Sequence, residues 1–227
     1  EYGLRVLYDG AHAFGTKVGG KSVAQFGDAT MFSFHATKLF HTAEGGALAV
    51  SDPLIKQRID LLKNFGIKNE NDIVMPGING KMNEVQAALG LVVLRHVEAE
   101  RSARTQVAAI YDEHLSGLPG VSPFSLPEHI RSSMQYYVIR INSDAAPVSR
   151  DDLHAALRKF NVFSRRYFFP LCSNLNCYRS HPSAQPQNLP VATRVANEVL
   201  ALPFFGALGV DGAHRVSDII HHIFSQA

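Results

Sequence analysis

Short apolar runs, separated by glycine and polar residues, characterise the first fifty residues. Leu4–Tyr8, Thr30–Phe34 and Ala47–Val50 have the length and composition of strands. We expect the first of these runs, which is mostly apolar, to be buried. Asp52 followed by Pro53 is a helix-start signal, so a helix is predicted from there to about residue 64.

Helical periodicity returns from Asn83 to about Leu115, after a polar stretch at Gly66–Gly80 that is predicted to be a long loop. The helix-breaking sequence Gly117–Gly120 ends the periodic pattern. We therefore predict a first domain of residues 1–117, which includes the long helix, and a smaller second domain of residues 118–227.

Strands and helices also alternate in the predicted second domain. Tyr136–Ile141 is predicted to be a strand, and Ser149 with Asp152 resembles a capping box at the start of a helix that ends at Phe160. The other predicted elements are a strand at Val162–Arg166, a loop at Phe168–Pro190, and helices at Val191–Ala201 and Asp211–Phe224. This alternation predicts an α/β fold.

Composition narrows the possible functions only slightly. The 227 residues include 22 Lys and Arg against 20 Asp and Glu, so the charge gives no reason to expect a nucleic acid or membrane partner. No apolar run has the length of a membrane span. The two cysteines, Cys172 and Cys177, fit a reducing cytoplasm. Because the strand pattern begins almost at once after Glu1, we expect the chain to be the C-terminal portion of a longer protein.

Three side chains at predicted strand ends suggest a particular chemistry. Asp9 follows the first strand, where α/β proteins place ligands, and a buried carboxylate needs a cationic partner such as a protonated ring nitrogen. Lys38 could serve as an amine nucleophile or base, and Ser33 could bind an anion. An acid, an amine and a hydroxyl are the groups that pyridoxal phosphate requires.

Each of these residues also has a simpler interpretation when it is considered alone. Asp9 could be a turn residue, and Lys38 a solvated surface lysine. His12 and His35 could be ordinary core or surface histidines, and Ser33 could lie on the outward face of a strand. The spacing of the whole set is what favours the functional interpretation.

Several motifs that contain these residues resemble the signature of the DegT/DnrJ/EryC1/StrS sugar aminotransferases. They occur in the family's order, cover most of the first hundred residues, and continue more weakly beyond them. The motifs are Asp9–Gly15, Gly27–Lys38, Glu44–Gly46 and Gly77–Gly90, with weaker similarity at Tyr167–Pro170 and Val199–Pro203.

The resemblance implies a role for each residue. Lys38 would bind pyridoxal 5'-phosphate covalently and move a proton at the substrate carbon, while Asp9 would bond the pyridinium nitrogen. His12 would lie near the phenolic oxygen of the cofactor, and Ser33 would bond its phosphate. Asn79 would reach the phosphate of the neighbouring subunit's cofactor, which implies a homodimer with composite active sites.

The family also implies an architecture. We expect part of a fold-type-I large domain, a mixed sheet flanked by helices, followed by a small C-terminal α/β domain. The family's N-terminal portion supplies a helix N-terminus for the phosphate and an aromatic ring stacked on the pyridine, and nothing in this sequence corresponds to either. Lys81 stands where the family more often has Arg.

Family members transfer an amino group from glutamate or a similar donor to nucleotide-linked keto sugars, often for polysaccharide biosynthesis. Asn64–Ile67 and the block after Gly77 look closest to the branch that aminates C4 of 4-keto-6-deoxyhexoses. Arg165, Arg166 and Tyr167 could contact the diphosphate or the sugar, although they fit a polar edge strand equally well. His35 is a further candidate substrate contact. The sequence does not identify the sugar, the carbon or the donor.

Three alternatives remain. Cys172, Cys177 and His181 could suggest a metal site, but the spacing lacks a second cysteine pair. Gly15–Ser22 formally matches a phosphate-binding loop, but no strand leads directly into it. Finally, the chain could be a non-catalytic remnant or dimerisation module that retains the cofactor motif without turnover.

Overall fold

The computed structural model describes residues 2–227, which form two compact units. The first unit comprises the residues up to Ala99 together with Leu126–Gln135, and the second comprises Glu100–Ser125 and Tyr136–Ala227. Glu1, the first residue of the predicted first domain, lies outside the described residues. The predicted domain boundary between residues 117 and 118 stays a prediction.

The elements are mixed strands and helices, as the predicted α/β class requires. In chain order the strands are β1 (Leu7–Asp9), β2 (Lys17–Val18), β3 (Lys21–Ser22), β4 (Ala29–Ser33), β5 (Gly46–Val50), β6 (Ile67–Asn69), β7 (Asp72–Ile73), β8 (Val121–Pro123), β9 (Ile130–Arg131), β10 (Tyr137–Ile141) and β11 (Val199–Leu202). The helices are α1 (Pro53–Leu62), α2 (Glu84–Leu94), α3 (Val97–Leu115), α4 (Arg150–Lys159), α5 (Pro190–Glu198) and α6 (Gly209–Ser225).

The main sheet of the first unit has the strand order β1-β4-β5, in which β1 runs parallel to β4, and β4 antiparallel to β5. Thr30 and Phe32 of β4 are buried while their neighbours are only half-buried, as the alternation of side chains along a strand requires. Short strands complete the unit, with β2 between β3 and β9, and β6 paired to β7.

The expectation of a buried first strand is wrong. The strand is shorter than predicted, and all of its residues are exposed, with Leu7 at 69%. The physical reason is that, among residues 2–227, β1 pairs with β4 alone, so its other edge has no neighbouring strand.

Two predictions for the middle of the first unit also need correction. The predicted loop at Gly66–Gly80 contains the hairpin of β6 and β7. The predicted single helix from Asn83 is divided into α2 and α3. The amides of Arg95 and His96 donate to carbonyls three residues earlier, at 3.2 and 2.9 Å, so the helical hydrogen-bond pattern ends there. Asn83 caps α2 by accepting a 2.9 Å hydrogen bond from the amide of Gln86.

The second unit is built on an antiparallel sheet with the strand order β11-β10-β8. Side chains from this sheet and from α3, α4 and α6 form one hydrophobic core. Its fully buried members are Val107, Tyr111, Leu115, Ile139, Ile141, Leu153, Leu157, Leu200, Ala213 and Ile220. The buried tyrosine hydroxyls are also satisfied, because Tyr111 donates to the carbonyl of Pro203 at 2.9 Å and Tyr137 to Asp112 at 2.6 Å.

The predicted cap of α4 is confirmed. The Ser149 hydroxyl accepts a hydrogen bond from the Asp152 amide at 3.1 Å and donates one to the Asp152 carboxylate at 2.6 Å. Two other predictions in this unit are wrong, namely a strand at Val162–Arg166 and a helix that extends to Ala201. The first segment is not a strand, since only an isolated bridge joins Arg165 to Ala201.

The helix predicted to reach Ala201 ends at Glu198, and the chain continues as β11. Pairing with β10 explains the change, because Leu200 lies opposite Ile139 and both side chains are fully buried. The predicted loop at Phe168–Pro190 contains three short 3-10 turns, at Cys172–Asn174, Pro182–Ala184 and Pro186–Asn188.

Candidate functional site

Asp9 stands at the C-terminal end of β1, and a tight turn directs the chain away from the sheet immediately after it. The amide of Ala11 donates to one oxygen of the Asp9 carboxylate at 3.0 Å, and the amide of Gly10 donates to the carbonyl of Met31 at 2.8 Å. A side chain at position 10 would collide with that carbonyl, since its Cβ would lie 2.8 Å from the oxygen. Asp9 is exposed rather than buried as predicted, because β1 is an edge strand in the described residues.

Lys38 lies in the loop that follows β4, and its backbone is fixed from two sides. The amide of Lys38 donates to the carbonyl of His35 at 2.9 Å. The buried Gln135 side chain accepts from the amide of Leu39 at 2.7 Å and donates to the carbonyl of Thr37 at 2.8 Å. One amide side chain therefore holds the residues on both sides of the lysine.

Gln135 is a residue that the sequence analysis missed. It is separated from Lys38 by almost a hundred residues, and it precedes β10 in a segment without periodicity. Its only signal is its burial, with 7% of its surface exposed, and burial at this position cannot be read from the sequence.

The structure brings Asp9, His12 and Lys38 together. Burial lowers the pKa of the Lys38 ammonium, and the nearby Asp9 carboxylate opposes this shift. Burial also lowers the pKa of His12, with a further contribution from Lys38 and opposition from Asp9. A lowered pKa increases the fraction of Lys38 that is a neutral amine, which is the form that acts as a nucleophile or base.

Asp9 and His12 lie on a cavity of about 410 Å³ that a distant segment of the chain helps to form. Leu126, Ile130 and Ser132 line its other side. This segment reaches the cavity because β9 pairs with β2, with Ile130 opposite Val18. Sequence reasoning did not predict β9, whose two residues are too short a run to recognise.

Ser33 and Lys81 line a second, larger cavity of about 1150 Å³ in the same unit, together with Gly45 and Gly46. Asn79 is exposed, and its side-chain oxygen accepts a 2.7 Å hydrogen bond from Lys81. The Lys81 ammonium also lies 4.4 Å from the centre of the Phe65 ring. Asn79 is thus held beside this cavity through Lys81.

His35 is exposed beside the loop of Lys38. Its Nδ1 lies 2.8 Å from the hydroxyl of Thr37, and its Nε2 lies 3.7 Å from the carboxylate of Glu44. The second contact becomes an ion pair only when the imidazole is protonated.

Arg166 and Tyr167 belong to the second unit, where both line a cavity of about 610 Å³. Arg166 donates to Asp151 at 3.1 Å. The Tyr167 ring lies edge-on to Tyr136 at 5.0 Å and stacks on Phe168 at 4.8 Å between ring centres. These aromatic contacts hold the tyrosine at the cavity wall.

The described part of the chain contains no helix that is long and apolar enough to cross a bilayer. Within the same residues, no three or more His, Cys, Asp or Glu side chains are grouped so that they could hold a metal ion. Cys172 and Cys177 are both exposed free thiols.

Comparison with known proteins places these observations in a family. Residues 1–221 match the model of the DegT/DnrJ/EryC1/StrS aminotransferase family. The chain is 40% identical over 222 residues to a dTDP-4-amino-4,6-dideoxy-D-glucose transaminase of Escherichia coli, covering 96% of this chain and 59% of the relative. The chain thus spans less than two thirds of that relative's length.

Solved structures agree with this assignment. The structure of DesI in the presence of its TDP-sugar product matches with a TM-score of 0.90 and 37% identity, covering 99% of this chain and 56% of DesI. The PLP-form of a putative sugar aminotransferase from Streptococcus pneumoniae matches with a TM-score of 0.87 and 25% identity, covering 98% and 58%. The predicted fold class is confirmed. The chain therefore belongs to the DegT/DnrJ/EryC1/StrS aminotransferase family.

Proposed function

We propose that the protein containing this chain is a pyridoxal-phosphate-dependent aminotransferase. It would transfer an amino group from an amino acid such as glutamate to a nucleotide-linked keto sugar. Within that class, we propose a 4-keto-6-deoxyhexose as the substrate. The observation that carries the proposal is the grouping of Asp9, His12 and Lys38 beyond the ends of β1 and β4. Asp9 and His12 line one cavity, and burial together with the charges of this group lowers the pKa of Lys38 and of His12. The name of the Escherichia coli relative supports the substrate class.

The residues present fit pyridoxal phosphate. Lys38 supplies an amine with a lowered pKa, which favours covalent attachment to an aldehyde. One oxygen of Asp9 accepts from the Ala11 amide, and its other oxygen has no hydrogen-bond partner within residues 2–227. That second oxygen is available to a ring N–H. When bound, the cofactor supplies an electron-withdrawing ring that makes the adjacent C–H bond of the substrate acidic.

The chain's own groups would then perform the proton chemistry. Lys38, as a neutral amine, would accept a proton from the amine-bearing carbon of the substrate and return it to the carbon on the other side of that nitrogen. The carboxylate of Asp9 would accept a charge-assisted hydrogen bond from the ring nitrogen and so hold a proton there. Gln135 fixes the backbone on both sides of Lys38, so the amine needs little reorganisation to reach either position.

The proposal includes a homodimer in the cytoplasm, with Ser33 binding phosphate and Asn79 reaching the cofactor of the neighbouring subunit. The exposure of Asn79 and of Ile78, which is 70% exposed, supports a contact with a second subunit. His35 is proposed to contact the substrate from the exposed loop beside Lys38.

The test is a substitution of Lys38 in the whole protein. Reconstituted with pyridoxal phosphate, the native protein should absorb visible light, and borohydride should fix the cofactor on Lys38. Lys38→Ala should abolish this band and the amination of dTDP-4-keto-6-deoxyglucose by glutamate.

Lys21→Ala is the matched control, since it removes an exposed lysine of β3 in the same unit. It should leave the band and the activity unchanged. A colourless native protein without transamination would instead favour a non-catalytic remnant.

A further inference from the structure

The loop that carries Lys38 is closed at its base by backbone hydrogen bonds. The amide of Phe34 donates to the carbonyl of Gly45 at 2.8 Å, and the amide of Thr42 donates to the carbonyl of Phe34 at 2.9 Å. Ala43, inside this closure, has a φ of +62°, a left-handed conformation that residues other than glycine adopt only where their surroundings impose it. The loop therefore has a tightly specified base.

Thr42 is the buried side chain of this base. It is 2% exposed, and its hydroxyl donates to the carbonyl of Glu44 at 2.7 Å. A Cβ at Gly45 would lie 2.3 Å from the same hydroxyl oxygen, so only glycine permits this approach of the backbone. Because the threonine side chain is stiff about χ1, its hydroxyl cannot turn away without losing its acceptor.

Helix α2 contacts the methyl group of Thr42 at a glycine. A Cβ at Gly90 would lie 2.8 Å from Cγ2 of Thr42 and 3.6 Å from Cζ of Phe40. Gly90 is buried within the helix, where glycine is a weaker helix former than alanine. The close approach of α2 to the loop base explains why a residue without a side chain fits at this position.

A second contact joins the start of α2 to the same base. Met82 directly precedes the cap residue Asn83, and its Cε lies 2.9 Å from the place that a Cβ of Gly45 would take. Met82 and Gly90 are about two helical turns apart in the sequence. The segment that leads into α2 and the middle of the helix therefore both rest on the base of the loop.

Buried residues connect Thr42 to Lys38 along the chain. Leu39 and Phe40 are 5% and 7% exposed, and the Phe40 ring stacks on Phe14 at 4.5 Å between ring centres. Close-packed side chains transmit a displacement because they leave no space to absorb it. A displacement of Thr42 would therefore reach the backbone beside Lys38.

We propose that Thr42 is a positioning residue for Lys38, and that its contact with Gly90 allows α2 to set where the lysine amine lies. This role rests on the proposed function, in which the amine must reach two carbon atoms in turn. Thr42 acts only through the loop. An ordinary buried threonine affects stability alone, whereas a positioning residue also changes the reactivity of the lysine.

Moving a methyl group between the two positions tests this role in the whole protein. Gly90→Ala adds a methyl group that collides with Thr42, and it should lower kcat by about ten-fold or more, since small displacements of a reacting group are costly in rate. The KM for the nucleotide sugar should change little. Alanine is the better helix former, so a loss in this variant comes from the contact with the loop.

Thr42→Ser is the complementary change, because it removes the methyl group and keeps the hydroxyl. Combined with Gly90→Ala, it provides space for the alanine methyl group, and kcat should return to within about two-fold of the native value. Thr42→Val keeps the shape of the side chain and removes the hydroxyl, so it should not rescue Gly90→Ala. The pattern of rescue separates the methyl contact from the hydrogen bond.

Two further measurements do not depend on turnover. In the protein without cofactor, amide hydrogen exchange of residues 35–45 should accelerate in Gly90→Ala and return to the native rate in the double variant. After pyridoxal phosphate is added, the visible band should form more slowly in Gly90→Ala and at the native rate in the double variant.

Ile139→Val is the matched control, because it removes one methyl group from the fully buried core of the second unit. It should lower stability and leave kcat, loop exchange and band formation unchanged. Native kcat and native loop exchange in Gly90→Ala would overturn the inference, as would a double variant no better than Gly90→Ala alone.

The failure of this inference is distinct from the failure of the proposed function. A native protein without a visible band or transamination would contradict the proposed function, and loop exchange would still decide whether Gly90 orders the loop through Thr42. A normal band and normal activity in the native protein, with no response in the Gly90 and Thr42 variants, would contradict the positioning role alone.

Discussion

The two units contain sheets of the same size but very different cores. Each has a three-stranded main sheet, yet the sheet of the second unit is buried against α3, α4 and α6, with Ile139 fully inaccessible. In the first unit the buried cluster consists of Leu39, Phe40 and Val97, while Leu48 on β5 is 48% exposed. Strand number alone does not make a stable unit, because the apolar face must also be covered.

The helices explain this difference. α4 and α6 each bury an apolar stripe against the second unit's sheet, whereas Gly90 is the one buried residue of α2. Several apolar residues of α2, such as Val85 at 80% exposure, are exposed in the described chain. Exposed apolar surface of this kind marks a region that interacts or aggregates. The first unit, which carries the candidate cofactor residues, is therefore the less self-sufficient of the two.

A pair of leucine substitutions tests the comparison most strongly. Leu200→Ala in β11 should lower the free energy of unfolding by about 2–5 kcal/mol, because it leaves a cavity in a closed core. Leu48→Ala in β5 should cost much less, since that side chain is already half in water. Denaturant unfolding of both variants measures the difference, and similar losses would show that the two cores are equally tight.

A buried arginine gives the next largest effect. Arg150→Met should destabilise the second unit by about 3 kcal/mol, because the carbonyls of Ala196 and Val199 and the carboxylate of Asp151 each lose a donor. Arg140→Met, which breaks the exposed pair of Arg140 with Glu198, should cause little change. Thermal unfolding compares the two, and equal shifts would contradict the anchoring role of Arg150.

Gln135 tests how the first unit orders the loop of Lys38. Gln135→Leu should cost about 1–3 kcal/mol locally, since it leaves the amide of Leu39 and the carbonyl of Thr37 unpaired. Amide hydrogen exchange should accelerate around Lys38, and transamination should fall in the whole protein. Gln57→Leu on the exposed face of α1 is the control, and unchanged exchange in Gln135→Leu would refute the role.

The smallest expected effect concerns pH. The Val6 amide and the Arg5 guanidinium lower the pKa of the Asp28 carboxylate in the folded protein. Its contribution to stability is therefore fully present above the unfolded pKa of about 3.9 and is lost as pH falls through the lower folded value. Asp28→Asn should flatten the decline in denaturant midpoint below about pH 5, whereas Glu70→Gln should not. An unchanged decline in Asp28→Asn would show that this carboxylate is not responsible.

Local sequence signals were sufficient where the cause of structure is local. The cap of α4 at Ser149 depends on residues three positions apart, and the turn after Asp9 depends on the adjacent glycine. The motif residues that indicate the family likewise lie close together in the sequence. Their catalytic roles stay predictions, since the geometry supports them without testing them.

The sequence by itself determined the α/β class, the family and the candidate pair of Asp9 and Lys38. Only the tertiary structure decided that Val199–Leu202 is a strand, that Gln135 holds the lysine loop, and that Asp151 joins two arginines. These features arise from pairing and burial between residues far apart in the chain, which outweigh local propensity. A periodic pattern records which face of an element is apolar, but the partner that covers this face is decided by the folded chain.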